Sequence, residues 1–242
     1  MINELLLLSG NDIPFREAQV NIHQPRLKEI AYIGEESFHI GCQLLNFSMN
    51  ILSIEDKSGL LNKSDFEVFM SMMNGLEKVK YRADALQVLT LLFPDYQIKI
   101  DKDKILLQKD DFSSSINQLN FDTFKSILVD MFCLTATQEA AYNPQGAYAK
   151  KIAEKLRKRQ EQLAKMHGGN IHKVAIYSRY VSILAVGEYK DMNSFMDYTV
   201  YQLRDEFERF QKKQHFDFYM KAKLAGAQDL EEVDNWMDDL HP

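Results

Sequence analysis

The chain has little of what marks a secreted, membrane or many-stranded protein. Two cysteines in 242 residues do not make a disulfide framework. Cys42 and Cys133 sit in apolar company, Ile40-Gly41-Cys42 and Met131-Phe132-Cys133-Leu134, the setting of buried free thiols. Five prolines and ten glycines, scattered along the chain, are too few for a sandwich of many short strands and tight turns. No apolar run approaches the roughly 18 residues that a membrane helix needs. The leucines at Leu5–Leu8 lack a basic stretch ahead of them, so no signal peptide is expected and the expected location is the cytoplasm. The net charge of −6 serves solubility and argues against a nucleic-acid binder.

What the chain does have is helix-forming composition and bulk for a core. Fifteen Phe, eleven Tyr and eleven Met supply large packing side chains, and long stretches rich in Ala, Leu, Lys, Glu and Gln favour helix. The first 25 residues are the least helical. Ile13-Pro14-Phe15 and Gln19-Val20-Asn21-Ile22 alternate like short strands, with a turn at Asn11-Asp12. Helices are predicted from Arg26 to Ile33, ended by Gly34, and from Glu35 to Phe47. A third runs from Ser64 to Met73, opened by a Ser64–Glu67 capping box. A fourth runs from Arg82 to Phe93, stopped by Pro94. Tyr96–Ile100 and Lys104–Gln108 flank Asp101-Lys102-Asp103 and read as a hairpin.

Asn120 or Asp122 then caps a helix to about Phe132. Asn143-Pro144 is a cap and first-turn pair opening a helix to about Met166, which Gly168-Gly169 breaks. His172 to Val186 is the next, and Asp191 or Asn193 caps the longest. Its stripe, Met196, Val200, Leu203, Phe207 and Phe210, steps 4-3-4-3 like a short coiled-coil seam. Phe216 to Leu224 continues as helix. The tail from Asp229 is expected to form a short acidic helix with Val233, Trp236 and Met237 on one side. The expected fold class is mainly α: a helical bundle-like protein with a small N-terminal β element and one β-hairpin near 96–108. The best boundary, near 136–145, separates an N-terminal half (1–140) from a C-terminal helical half (141–242), two packed halves or one packed domain.

The sequence carries no recognisable catalytic or metal-binding motif. There is no GxxxxGK[ST] or GxGxxG loop for phosphates and no GxSxG elbow. His167 and His172 lie five apart, but no further ligands stand at metal-site spacing. His39, beside Phe38 and Cys42, reads as a packing residue. The acid pairs Glu35-Glu36, Glu231-Glu232 and Asp238-Asp239 point about 100° apart on a helix and do not converge, so a solvated face is expected. Asp101 and Asp103 suit a turn; a calcium loop needs more oxygens in a set order. No catalytic, cofactor or metal residue is assigned, and a non-enzyme is expected.

Charge is unevenly placed. From Lys150 to Lys165 seven basic residues face two acidic ones, and from Asp229 to Asp239 there are six acidic residues and no basic one. The basic patch of Lys150, Lys151, Lys155, Arg157, Lys158 and Arg159 has three readings: phosphate contact, pairing with the acidic tail in this chain or a neighbour, or a solvated face. No reading-helix motif or aromatic interleaving supports the first. Trp236, the single tryptophan, either docks on the body or anchors a partner, docking being favoured.

Three segments in order resemble a known family. Ile22-His23-Gln24-Pro25-Arg26-Leu27-Lys28-Glu29-Ile30-Ala31-Tyr32-Ile33-Gly34-Glu35-Glu36 comes first. Tyr142-Asn143-Pro144 with Ala149-Lys150-Lys151-Ile152-Ala153-Glu154-Lys155-Leu156 follows. Phe216-Asp217-Phe218-Tyr219 through Ala222-Lys223-Leu224-Ala225-Gly226-Ala227 to Trp236-Met237-Asp238-Asp239-Leu240-His241 completes the set. Together they resemble the tail assembly chaperones of long-tailed bacteriophages, especially of Gram-positive hosts. The resemblance implies a non-enzymatic role in host cytoplasm: binding the tape measure protein, keeping it soluble and helping recruit tail tube subunits in virion assembly. It carries no active site. The physical counterparts are the Met- and Phe-rich faces, Phe66, Phe69, Met70, Met72 and Met73 and the seam Met196, Val200, Leu203, Phe207, Phe210, with Trp236. Each is either core or adaptable partner-binding surface. A structural virion component (tail, connector or baseplate subunit) acting as a homo-oligomer stays open, as does a nucleic-acid-associated protein using 150–165.

Overall fold

The structure is a computed structural model that describes residues 2–48, 63–75, 80–134, 176–227, 233 and 235–238. It begins with a helix, in the stretch of 25 residues expected to be the least helical. α1 (Glu4–Ser9) is capped by the Asn3 side chain, which accepts from Leu5 N, and closes at Gly10 in the left-handed region, φ 67°. The predicted β element follows. β1 (Ile13–Phe15) pairs antiparallel with β2 (Val20–Ile22), Ile13 opposite Ile22 and Phe15 opposite Val20. Their alternation is that of a half-buried ribbon, with Ile13, Phe15, Val20 and Ile22 inside.

α2 (Leu27–Ile33) and α3 (Glu35–Leu45) meet at Gly34, whose φ of 86° breaks the helical path. α4 (Asp65–Gly75) opens on the predicted capping box: Glu67 N donates to Ser64 Oγ at 3.2 Å, and Ser64 N donates to Glu67 Oε2 at 2.7 Å. α5 (Lys80–Leu92) ends ahead of Pro94 and packs closely on α3.

The predicted hairpin is part of a larger sheet. β3 (Gln97–Ile100), β4 (Ile105–Lys109) and β5 (Phe112–Ile116) form an antiparallel meander. Asp101 Oδ1 accepts from Lys102 N at 2.8 Å, so this carboxylate serves the turn. Two antiparallel sheets correct the expectation of a helical bundle: the fold mixes helix with sheet, although helix predominates. The physical reason is burial. The sheets contribute Phe15, Ile22, Ile105, Leu107 and Ile116 to the core, each fully buried, and a bundle has no layer to hold them.

α6 (Phe121–Phe132) follows, then α7 (Ile176–Glu188), a 3-10 segment (Met192–Asp197) and α8 (Val200–Leu224). The expected caps are reassigned. Asp191 accepts from Asn193 N and caps the 3-10 segment, while Thr199 caps the long helix. Met196 therefore lies outside α8, and the expected seam begins at Val200. The stretch Phe216–Leu224 is the unbroken continuation of α8.

One cluster of buried residues runs from Leu7 of α1 to Phe207 of α8. Phe38 of α3 meets Phe132 of α6 edge-on at 5.1 Å and Tyr177 of α7 at 6.1 Å. Glu35, expected on a solvated face, instead accepts from the backbone N–H of Tyr177 and, at 2.8 Å, from Ser178 Oγ. A carboxylate there satisfies free N–H groups of the first turn of α7 and opposes the positive end of its dipole. Among the described residues no helix is long and apolar enough to cross a membrane.

Candidate interaction groove

α8 is fixed at its start by Thr199. Gln202 N donates to Thr199 Oγ1 at 3.2 Å, and Thr199 N donates to Gln202 Oε1 at 2.8 Å. The same Gln202 side chain donates through Nε2 to Leu8 O at 2.7 Å, tying the end of α1 to α8. Tyr201 Oη donates to Glu4 Oε1 at 3.3 Å, a second tie. Across the helix, Arg204 Nη1 donates to Cys133 O at 2.8 Å. One face of α8, Val200, Leu203 and Phe207, is thereby sunk in the core.

The neighbouring face is left open. Gln202, Asp205, Glu206, Arg209, Phe210 and Lys213 recur at helical spacing and floor a groove of about 630 Å³. Leu8 of α1, Glu188 of α7 and the Asp197-Tyr198 corner wall it, and Trp236 of the tail lines it too. Its walls are held by ion pairs. Lys190 bridges Glu188, at 2.8 Å, and Glu206. The hydrogen bonds that Lys190 donates to these two carboxylates raise its pKa despite partial burial. Lys28 pairs with Asp197 at 2.6 Å. Arg209 Nε donates to Asp205 Oδ2 at 3.3 Å, while Asp205 Oδ1 is buried and finds no hydrogen-bond partner among the described residues.

Trp236 is half-buried, and Lys213 Nζ stands 5.8 Å from the centroid of its ring, within cation–π range. Most of the acidic helix expected from Asp229 lies outside the described residues. Asn235–Asp238 is a turn, in which Met237 N donates to Asn235 Oδ1 at 3.1 Å and Asp238 N to Asn235 O at 3.0 Å.

The expected binding faces prove to be core for the most part. Phe66, Phe69, Met70 and Met73 are buried and Met72 half-buried, with both Phe66 and Phe69 against Phe121, at 5.0 and 5.1 Å. Val200, Leu203 and Phe207 are buried and Met196 half-buried. Side chains so placed pack the fold. Of the expected partner-binding residues, Phe210 and Trp236 line the groove. The basic patch, Lys150, Lys151, Lys155, Arg157, Lys158 and Arg159, lies outside the described residues, as does the Asn143-Pro144 cap.

Titratable groups elsewhere are arranged for structure. Burial pushes the Cys42 thiol well up and the Cys133 thiol to about 11, away from thiolate chemistry. His23 sits between Asp12 Oδ1, 2.9 Å from Nδ1, and Glu29 Oε2, 3.2 Å from Nε2. Both ring nitrogens are engaged. Among the described residues no group of three or more His, Cys, Asp or Glu is placed to hold a metal ion.

Residues 172–241 match the family model described as the YomV second domain, a phage-derived family. No curated protein and no solved structure matches the chain. The matched segment contains α7, α8, Trp236 and every groove-lining residue except Leu8.

Proposed function

We propose that this chain is a phage tail assembly chaperone, a non-enzymatic protein that binds the tape measure protein and assists tail tube assembly. The match of residues 172–241 to a phage-derived family supports the phage origin. The tail-assembly role rests on the resemblance of the three segments. The single observation that carries a binding role is the coincidence of the two: the open groove of α8 is built almost wholly from the matched segment. Its floor sets Phe210 among charged groups along one helix face, which suits a protein segment as partner. Co-expression with the tape measure protein of the same phage, followed by pull-down, tests the reading. A soluble complex is expected, and its absence would remove it.

A structural virion subunit is the second reading. It is favoured by the far end of α8, where Phe218 and Leu224 are 72% and 84% exposed and Met220 is exposed beside them. Exposed apolar groups on one helix end are the raw material of an oligomeric contact. Sizing of the pure protein separates the two: a stable ring would support the structural reading, and a monomer would support the chaperone.

A further inference from the structure

We propose that the open face of α8 is a pairing surface for a second copy of this chain. The two α8 helices lie antiparallel, and the far end of each enters the groove of the other. The inference goes beyond the chaperone reading, because it concerns the chain before any other protein binds.

The first observation is one helix face with two characters. Glu206, Arg209 and Lys213 of the groove floor are followed on the same face by Phe216, Met220 and Leu224, in steps of three and four residues. That spacing suits packing against another helix at a shallow angle. Within the groove, Leu8, Glu188 and the Asp197-Tyr198 corner rise beside this face. Beyond Lys213 the face turns apolar and opens to solvent, with Met220 38% and Leu224 84% exposed.

The second is charge. Four carboxylates, Glu188, Asp197, Asp205 and Glu206, line the groove against Arg209 and Lys213, so a segment that enters should bring positive charge. The far end of α8 has it. Residues 216–224 carry Lys221 and Lys223, with Asp217 the one acid. Antiparallel pairing about a point near Gln214 brings Lys221 of one copy to Glu206 of the other, and Lys223 to Asp205. It also sets Arg209 between the second copy's Phe216 and Met220. A parallel pair would set acid against acid and lysine against lysine. The twofold repeats each contact, so the pair closes at two copies and builds no ring. Exposed ion pairs contribute little each, and Lys213 meets its own counterpart near the axis, so the pair is weak. It opens on dilution and leaves the groove to another partner.

The test is sedimentation equilibrium of the full-length chain. Reversible dimer is expected at about 0.5 mM, where pairing with a Kd as weak as about 1 mM is still visible, and monomer on dilution. Leu224→Asp should weaken association about a hundredfold, because the lost apolar contact counts twice in a twofold pair. Glu206→Lys and Lys221→Glu should each lose the dimer alone and regain it when mixed, since the mixture restores both ion pairs with their charges exchanged. Circular dichroism checks that each variant folds; Leu224→Asp, at an exposed site, decides the case if Glu206→Lys does not. A wild type that stays monomeric at the high concentration, a Leu224→Asp variant that dimerises as the wild type does, or a mixture of folded variants no more dimeric than its parts would overturn the proposal. A ring would overturn it in favour of the structural reading. A monomeric wild type that still captures the tape measure protein would remove the pairing and leave the chaperone reading standing.

Discussion

The rings of Tyr180 and Phe207 lie face to face, with centroids 3.8 Å apart and planes 10° from parallel. This stack joins α7 to α8 next to the point where Gly187 lets Phe210 approach so closely that an added Cβ would overlap its ring. Phe207→Ala removes a buried ring and should cost about 3–5 kcal/mol. Tyr180→Phe keeps the stack and should cost about 1 kcal/mol or less, as a volume-conserving change. Urea unfolding of the two variants checks the order; equal losses would mean that the stack contributes little.

Gly41 fixes the other close helix contact. A Cβ there would lie 2.5 Å from Val88 Cγ2 and 2.6 Å from the backbone oxygen of Asp84. In a free helix Gly→Ala gains up to about 1 kcal/mol, but overpacking costs about 1–3 kcal/mol. Backbone cannot yield as a side chain can, so the second effect should win. Gly41→Ala is expected to lower Tm, and a raised Tm would show that α3 and α5 can part without loss.

His39 makes stability depend on acid. Burial holds its imidazole below the usual 6.5, with Glu35 only partly offsetting this. The folded chain then binds fewer protons than the unfolded chain in that range. The contribution is complete above pH 6.5 and is lost as pH falls from there through the folded value. His39→Gln should flatten this component. Urea midpoints of both proteins from pH 7.5 down to pH 5 give the difference, which should narrow as pH falls. A constant difference would contradict it.

Cys42 is fully buried and Cys133 half-buried, with its thiol near 11. Neither presents a thiolate at neutral pH. Iodoacetamide at pH 8 should leave both unmodified in the native protein and alkylate both in guanidinium, as read by intact mass. Rapid native labelling of Cys133 would show that the end of α6 opens.

Much of this fold was legible because its signals are local. Ser64 with Glu67, Gly34, and the Asp101-Lys102-Asp103 turn each act within a few residues, and each falls where the pattern put it. β5 was not legible: Ser113-Ser114-Ser115 carries no apolar alternation, and the strand exists because β4 offers it an edge. α1 was hidden because Leu5–Leu8 is a run without helical periodicity. The α8 stripe was legible as apolar, but its role was not, since core and partner surface share one pattern. The groove was beyond reach. Its wall comes from Leu8, joined to Gln202 across 194 positions, and its floor is the polar face beside the stripe.

Hydrogen exchange of the full chain, alone and in complex with the tape measure protein, tests the central claim that this protein works by binding along α8. The account predicts slowed exchange concentrated between Glu188 and Lys213, the span that lines the groove. Protection elsewhere in the complex, with Glu188 to Lys213 unchanged, would contradict it.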